Sequence, residues 1–333
     1  MSNPDLPQLL EDAYSALHQD DFTKARTILD KVRRMDSASV DVVLLEIELL
    51  EAEGDEETAL TAMEEARSKN PDNVLLAYHH ATLLLEVFDD TVTADPILFE
   101  LMKKYRAGTL TENGILDEEL QEFSSGFLLS YSYCSLLDEK TERALELAEE
   151  ALKVDDTDSE AQLARAAALF DLGRAELAKQ SVQKAIADDD TIVEAQWLLG
   201  RIELAGGDEE AARTRLAKAI TLAPEQFPVP YLTDREEFAS LVEDAKAELP
   251  GPVADFVARS ELVITDLPQK DVWERGVPPG TPIIVVEDEV ALFKKNLELE
   301  ADSPEALAGV IADHLIREVV LFLDLDEDDL LAE

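Results

Sequence analysis

Small and apolar residues recur along this chain on a fixed ruler. Ala25 and Ala59 lie 34 residues apart, as do Ala144 and Ala178, and then Ala178 and Ala212. Four and seven residues after each comes an apolar or small pair: Leu29 and Val32, Met63 and Ala66, Ala148 and Ala151, Val182 and Ala185, Leu216 and Ala219. Apolar positions at i, i+4 and i+7 mark one face of an α-helix. Twelve residues after each alanine stand Ser37, Pro71, Asp156, Asp190 and Pro224, all turn formers or helix breakers. A period of about 34 residues is that of a helix-turn-helix unit that stacks on copies of itself, with a small residue where its two helices cross closely. The same spacing lands on Thr93 for a third rung. It then meets a gap of 51 to Ala144, which places an interruption near Arg106 to Asn113, within about residues 106–116.

Residues 5–224 resemble the tetratricopeptide repeat family, most clearly in Ala59-x3-Met63-x2-Ala66-x4-Pro71 and in Gly200 with Ala212-x3-Leu216-x2-Ala219-x4-Pro224. Trp197 departs from the family by standing three rather than four residues before its glycine. The resemblance implies a right-handed α-solenoid of about six repeats whose first helices line a concave, protein-binding groove. Helical phase turns Leu10, Tyr14, Leu44, Glu48, Tyr78, Thr82, Leu129, Tyr133, Leu163, Phe170, Trp197 and Arg201 inward. Of these, Tyr14, Tyr78, Tyr133, Phe170, Trp197 and Arg201 are the expected partner-binding residues. A groove that captures a carboxylate needs charge-assisted donors, and this lining has few cations. An apolar or basic amphipathic helical segment of a partner protein is the expected ligand.

After Pro224 the rhythm stops and prolines and glycines accumulate, from Pro228 to Pro282. A second, small α+β domain is expected over residues 225–333, after a repeat domain over 1–224. Its elements read as a helix from Arg235 to Glu248, strands at Glu261–Thr265 and Pro282–Glu287, and a long helix from about Ser303 to Leu323. Ser303-Pro304 supplies an N-cap followed by proline at the first helical position. This order, with Phe238-x2-Leu241-Val242-x3-Lys246 in the first helix and an acidic run from Asp324 to Leu330 at the end, resembles the small zincin-like metallopeptidases. In that family the last helix carries His-Glu-x-x-His; here it reads Arg317-Glu318-Val319-Val320-Leu321. Two histidines at i and i+4 hold one Zn²⁺ while the glutamate activates its water. Arg317 brings a permanent positive charge to one ligand position, and Leu321 has no lone pair to offer at the other. The motif is degenerate: no metal, no cofactor and no catalysis are expected, with Glu318 left as a helix-surface acid beside His314. The acids from Asp324 onward lack the glycine-containing spacing of a calcium loop.

Charge refines the list of partners. With 75 acidic against 29 basic residues, a net charge of −46 and a pI near 4.2, nucleic acid is excluded, because phosphate contacts need cations. Two explanations fit the acidity: a field that attracts basic partners, or a solvated surface suited to a saline medium. The even spread of acids over nearly every helix favours the second. The start MSNPDLPQLL has no basic-then-apolar leader and no apolar run approaches 18 residues, so no membrane association is expected. Cys134 is alone, in an apolar helical stretch, and is expected to be an inert buried thiol. A cytoplasmic, non-enzymatic scaffold or adaptor is the expectation, with the degenerate domain as a second docking surface. A residual hydrolase using Glu318 and an acidic chaperone for basic proteins are the alternatives.

Overall fold

The computed structural model describes residues 6–37, 39–117, 119–187 and 189–326. The chain divides into two compact units, with the boundary after Asp156.

The first unit is four antiparallel helix pairs: α1 (Leu6–Leu17) with α2 (Phe22–Met35), α3 (Val40–Ala52) with α4 (Glu56–Lys69), α5 (Val74–Glu86) with α6 (Thr91–Ala107), and α7 (Leu120–Leu137) with α8 (Thr141–Val154). Several starts are fixed by short polar side chains that satisfy otherwise orphaned N–H groups. Asp21 accepts from the Lys24 N–H, Asn73 from that of Leu76, and Asp90 from that of Thr93. Ala25, Ala59 and Ala144 are fully buried between the helices of their pairs. The third rung is Ala94, also at 0% exposure, and not Thr93, which is exposed. Asp90 sets the start of α6, and the helix phase turns the next residue inward. The expected interruption falls between α6 and α7. α6 runs to 17 residues and ends on Gly108 in the left-handed conformation (φ 68°). A 3-10 turn at Thr111–Asn113 follows, and α7 is lengthened to 18 residues. α6 still packs on α7, so the pairs remain neighbours across the insertion. The Tyr105 and Phe127 rings meet edge-on there, 5.4 Å apart.

The second unit opens with two further pairs, α9 (Ser159–Asp171) with α10 (Ala175–Ala185) and α11 (Val193–Ala205) with α12 (Glu209–Leu222). Ala178 and Ala212 occupy the same buried rung. Gly200 shows why it must be small: a Cβ there would lie 2.7 Å from Leu216 Cγ and 3.2 Å from the Leu216 backbone nitrogen.

The segment beyond Pro224 is pinned rather than loose. The Tyr231 N–H donates to the Ala301 carbonyl at 2.8 Å. The Thr233 N–H and hydroxyl both donate to Glu298, each at 2.7 Å. Glu298 is 2% exposed and pairs with Lys294 at 2.7 Å. Then follow α13 (Arg235–Lys246), α14 (Gly251–Arg259), β1 (Glu261–Thr265), α15 (Lys270–Trp273), β2 (Ile283–Val286), β3 (Glu289–Phe293), α16 (Lys294–Glu298) and α17 (Pro304–Leu323). The strands form one sheet in the order β1-β3-β2. β1 is parallel to β3, with Val263 opposite Ala291, and β2 is antiparallel to β3, with Val285 opposite Val290. Phe238, Val253, Phe256, Ile283, Leu292, Ile311 and Leu315 are buried in a common core under the sheet and helices. Ser303 caps α17 through the Ala306 N–H, as its Ser-Pro start predicts. The acidic segment expected to close the chain lies, from Glu327 onward, outside the described residues.

Candidate functional site

In the first unit, the first helix of each pair carries the residues that helical phase turns inward. Tyr14 lies on α1 and His18 just past its end, Glu48 and Glu51 on α3, Tyr78, His79, Thr82 and Glu86 on α5, and Ser130 and Tyr133 on α7. Tyr78 is held by an edge-on contact with Phe123 (5.4 Å) and accepts from the Ser130 hydroxyl at 3.5 Å. Tyr133 is 47% exposed, whereas Leu10 and Leu44 are core residues packed between helices rather than groove lining. At those two positions the bulk of leucine fills space between neighbouring helices, which phase alone does not distinguish from a lining role.

The electrostatics of this row are unusual. Partial burial pushes the Glu51 carboxyl up to about 7, with Glu48 and then Glu86 adding repulsion. Burial likewise raises Glu48, which His18 partly opposes. The Tyr14 hydroxyl is raised by burial and then by Glu48 and Asp41. Burial lowers His79, so it favours the neutral form. Elsewhere on the same helix or its edge the acids are matched: Glu46 pairs with Arg33 and Glu53 with Arg26. Among the described residues no Lys or Arg pairs with Glu48, Glu51 or Glu86. His18, just past the end of α1, acts on Glu48 because α1 packs on α3.

The corresponding row of the second unit is covered. Phe170 on α9 is 1% exposed. The Arg201 guanidinium on α11 lies 5.3 Å from the Phe170 ring centroid and its charged form is disfavoured by burial, with Asp171 and Glu300 opposing. Trp197 stacks on Phe227 at 4.4 Å. Gly280, in the segment between α15 and β2, lies so close to Arg201 and Phe170 that a Cβ there would come within 3.2 Å of the Phe170 ring. Trp273 sits over Gly173 in the α9–α10 turn. The expectation that Phe170, Trp197 and Arg201 line an open groove is therefore corrected: Phe227 lies on Trp197, and Gly280 lies against Phe170 and Arg201.

Family models described as tetratricopeptide repeat match residues 138–195 and 194–225, spanning α8 to α12. These are tetratricopeptide repeats. No curated protein matches the chain in sequence. Among solved structures, PilF of Pseudomonas aeruginosa is similar with a TM-score of 0.53 and 17% identity, over 66% of this chain and 92% of that one. PilW, described as a widely conserved type IV pilus biogenesis factor, gives 0.55 and 14%, over 67% and 96%. The APC/C hetero-tetramer Cut9-Hcn1 gives 0.53 and 12%, over 66% and 41%. At these identities the likeness is one of fold.

Two clusters bear on metal chemistry. On α17, Arg317 donates to Glu318 at 3.2 Å, and Leu321 is 64% exposed. His314 pairs with Glu300 at 2.8 Å, so the expected pairing of His314 with Glu318 is not formed. Glu300 approaches His314 from the α16–α17 connection, a contact that sequence spacing does not reveal. Neither Arg317 nor Leu321 offers a lone pair, and a positive charge held on Glu318 disfavours a cation there. In the first unit, Asp95, Cys134 and Asp138 bring possible ligand atoms within 4.8 Å of one another. Arg143 lies 2.5 Å from Asp95 and Lys140 lies 2.8 Å from Asp138, so the acids already have their countercharges. Burial, then Asp138 and Asp95, pushes the Cys134 thiol up to about 11. It stays protonated at neutral pH, a poor ligand and a poor nucleophile. Among the described residues no helix is long and apolar enough to cross a membrane.

Proposed function

We propose that this chain is a protein–protein interaction scaffold whose first unit holds a basic or amphipathic helical segment of a partner protein along Tyr14, Glu48, Glu51, Tyr78 and Tyr133. Tetratricopeptide repeats mediate protein–protein interaction and are not catalysts. The observation that carries the choice of ligand is the pair of half-buried carboxylates, Glu48 and Glu51, with which no lysine or arginine pairs among the described residues. A lysine or arginine delivered from outside would offset their mutual repulsion in a place where water screens poorly. The aromatic residues beside them offer apolar surface for the rest of the segment.

The region after Pro224 is read as a metallopeptidase-like fold without its metal, kept as a second docking surface. Arg317 and Leu321 support that reading, since Glu318 has no metal-bound water to activate. A cytoplasmic setting suits a chain whose sole cysteine is buried and protonated. The test is calorimetric titration of the full chain with a synthetic amphipathic Lys/Leu helix, against a Glu/Leu helix of equal length. Saturable binding of the first alone, persisting at about 0.5 M salt where surface attraction is screened, supports the groove. Binding that vanishes at that salt would favour an acidic chaperone acting by charge alone. Stoichiometric zinc with peptide-bond cleavage would instead restore the hydrolase.

A further inference from the structure

The segment linking β1 to β2 contains Leu267-Pro268, Trp273 and Val277-Pro278-Pro279-Gly280, and it lies against α9, α11 and α12. Leu267 packs with Trp197 against Leu204, Ala212 and Leu216 of the last repeat pair. Trp273 is nearly buried over the α9–α10 turn, its indole N–H donating to the Pro268 carbonyl at 3.1 Å. Gly280 brings bare backbone against Arg201 and Phe170, where a side chain has no room. From behind, the Asn296 amide donates to the Pro279 and Thr281 carbonyls at 3.0 and 2.7 Å. A proline-rich stretch, wound through the single helical turn of α15, that presents backbone and one aromatic ring to inner helices has the form of a docked peptide, because proline lowers the entropy lost on ordering. Beside it, Leu172, Lys179, Glu203, Lys270 and Trp273 border a cleft of about 700 Å³.

We infer that residues 267–282 are a tethered internal ligand that closes the inner face of the second unit to peptides from outside. The face takes a segment containing proline, glycine and tryptophan, and an outside partner reaches it only by displacing this one. The inference does not rest on the reading of the first unit, whose expected ligand is basic and helical.

The test uses the full chain carrying Gly280→Leu, which forces the segment away from Phe170, and separately Asn296→Ala, which removes two of its hydrogen bonds. Trp197→Phe in each background leaves Trp273 as the sole tryptophan. The probe is a fluorescein-labelled peptide with the sequence of residues 266–283. Expected are a several-fold rise in acrylamide quenching of Trp273 in Gly280→Leu and binding of the peptide to that variant at least tenfold tighter than to the unaltered chain. That binding should be lost when Arg201→Ala is added. Trp273 remaining shielded in both variants would make the segment a permanent wall and overturn the inference. So would a released Trp273 without peptide binding, in a protein of unchanged circular dichroism, or equal binding to the unaltered chain.

Discussion

The inner rows of the two units are built on the same repeat and end in opposite states. In the first, Glu48 and Glu51 face inward with no lysine or arginine paired to them among the described residues, and Tyr133 stands exposed. In the second, the phase-equivalent positions hold Phe170, Trp197 and Arg201, and the chain has laid its own residues over them. The repeat fixes which positions face inward, while sequence lying far downstream decides whether they are available.

Truncation separates the two states most sharply. Phe170→Ala should cost about 3–5 kcal/mol in urea unfolding, as for a core aromatic, whereas Tyr133→Ala should stay within about 0.5 kcal/mol. Comparable losses would mean that the rows do not differ. Gly200→Val, which overpacks the contact with Leu216, should cost about 1–3 kcal/mol; a neutral result would show that α11 and α12 separate easily. Changing Glu48 and Glu51 together to Gln should weaken binding of the Lys/Leu helix roughly tenfold, about 1.4 kcal/mol, and leave the 266–283 peptide unaffected.

Protonation gives a smaller, signed effect. Because the Glu51 carboxyl is raised in the folded state from 4.5 to about 7, the fold holds a proton that the unfolded chain releases. Its contribution to stability is full below 4.5 and is lost as pH rises through 7. The unfolding free energy of the wild type should therefore fall, relative to Glu51→Gln, between pH 5 and 8, while affinity for the basic helix rises over the same span. A pH-independent difference would remove Glu51 from the site. Smallest of all, Glu318→Gln should change stability by less than about 0.5 kcal/mol, checked in the same urea titration, since its partner among the described residues is its exposed neighbour Arg317.

The helix pairs were legible because burial writes a period into the sequence: five rungs fall on alanines of the 34-residue ruler. The sixth slips by one, to Ala94, since the cap at Asp90 and not the ruler sets the phase of α6. β3 escaped notice because it follows Glu287-Asp288, poor strand formers that instead make a tight turn with Glu287 at φ 54°. α14 was hidden by Pro250-Gly251-Pro252, which reads as a break although proline suits a first helical turn. The candidate site was legible in its phase but not its occupancy. Nothing in the spacing of Phe170 and Arg201 announces a glycine that far along the chain.

The contact of Leu267 with Leu204 and Leu216 has a practical corollary for anyone dissecting the molecule. Stacked repeats need a polar terminal surface to remain soluble, and here that role falls to residues beyond the repeats themselves. Severing the polypeptide after Pro224 would strip this cover and leave a sticky aliphatic stump, so a soluble array will require either the whole second unit or polar replacements at Leu204 and Leu216.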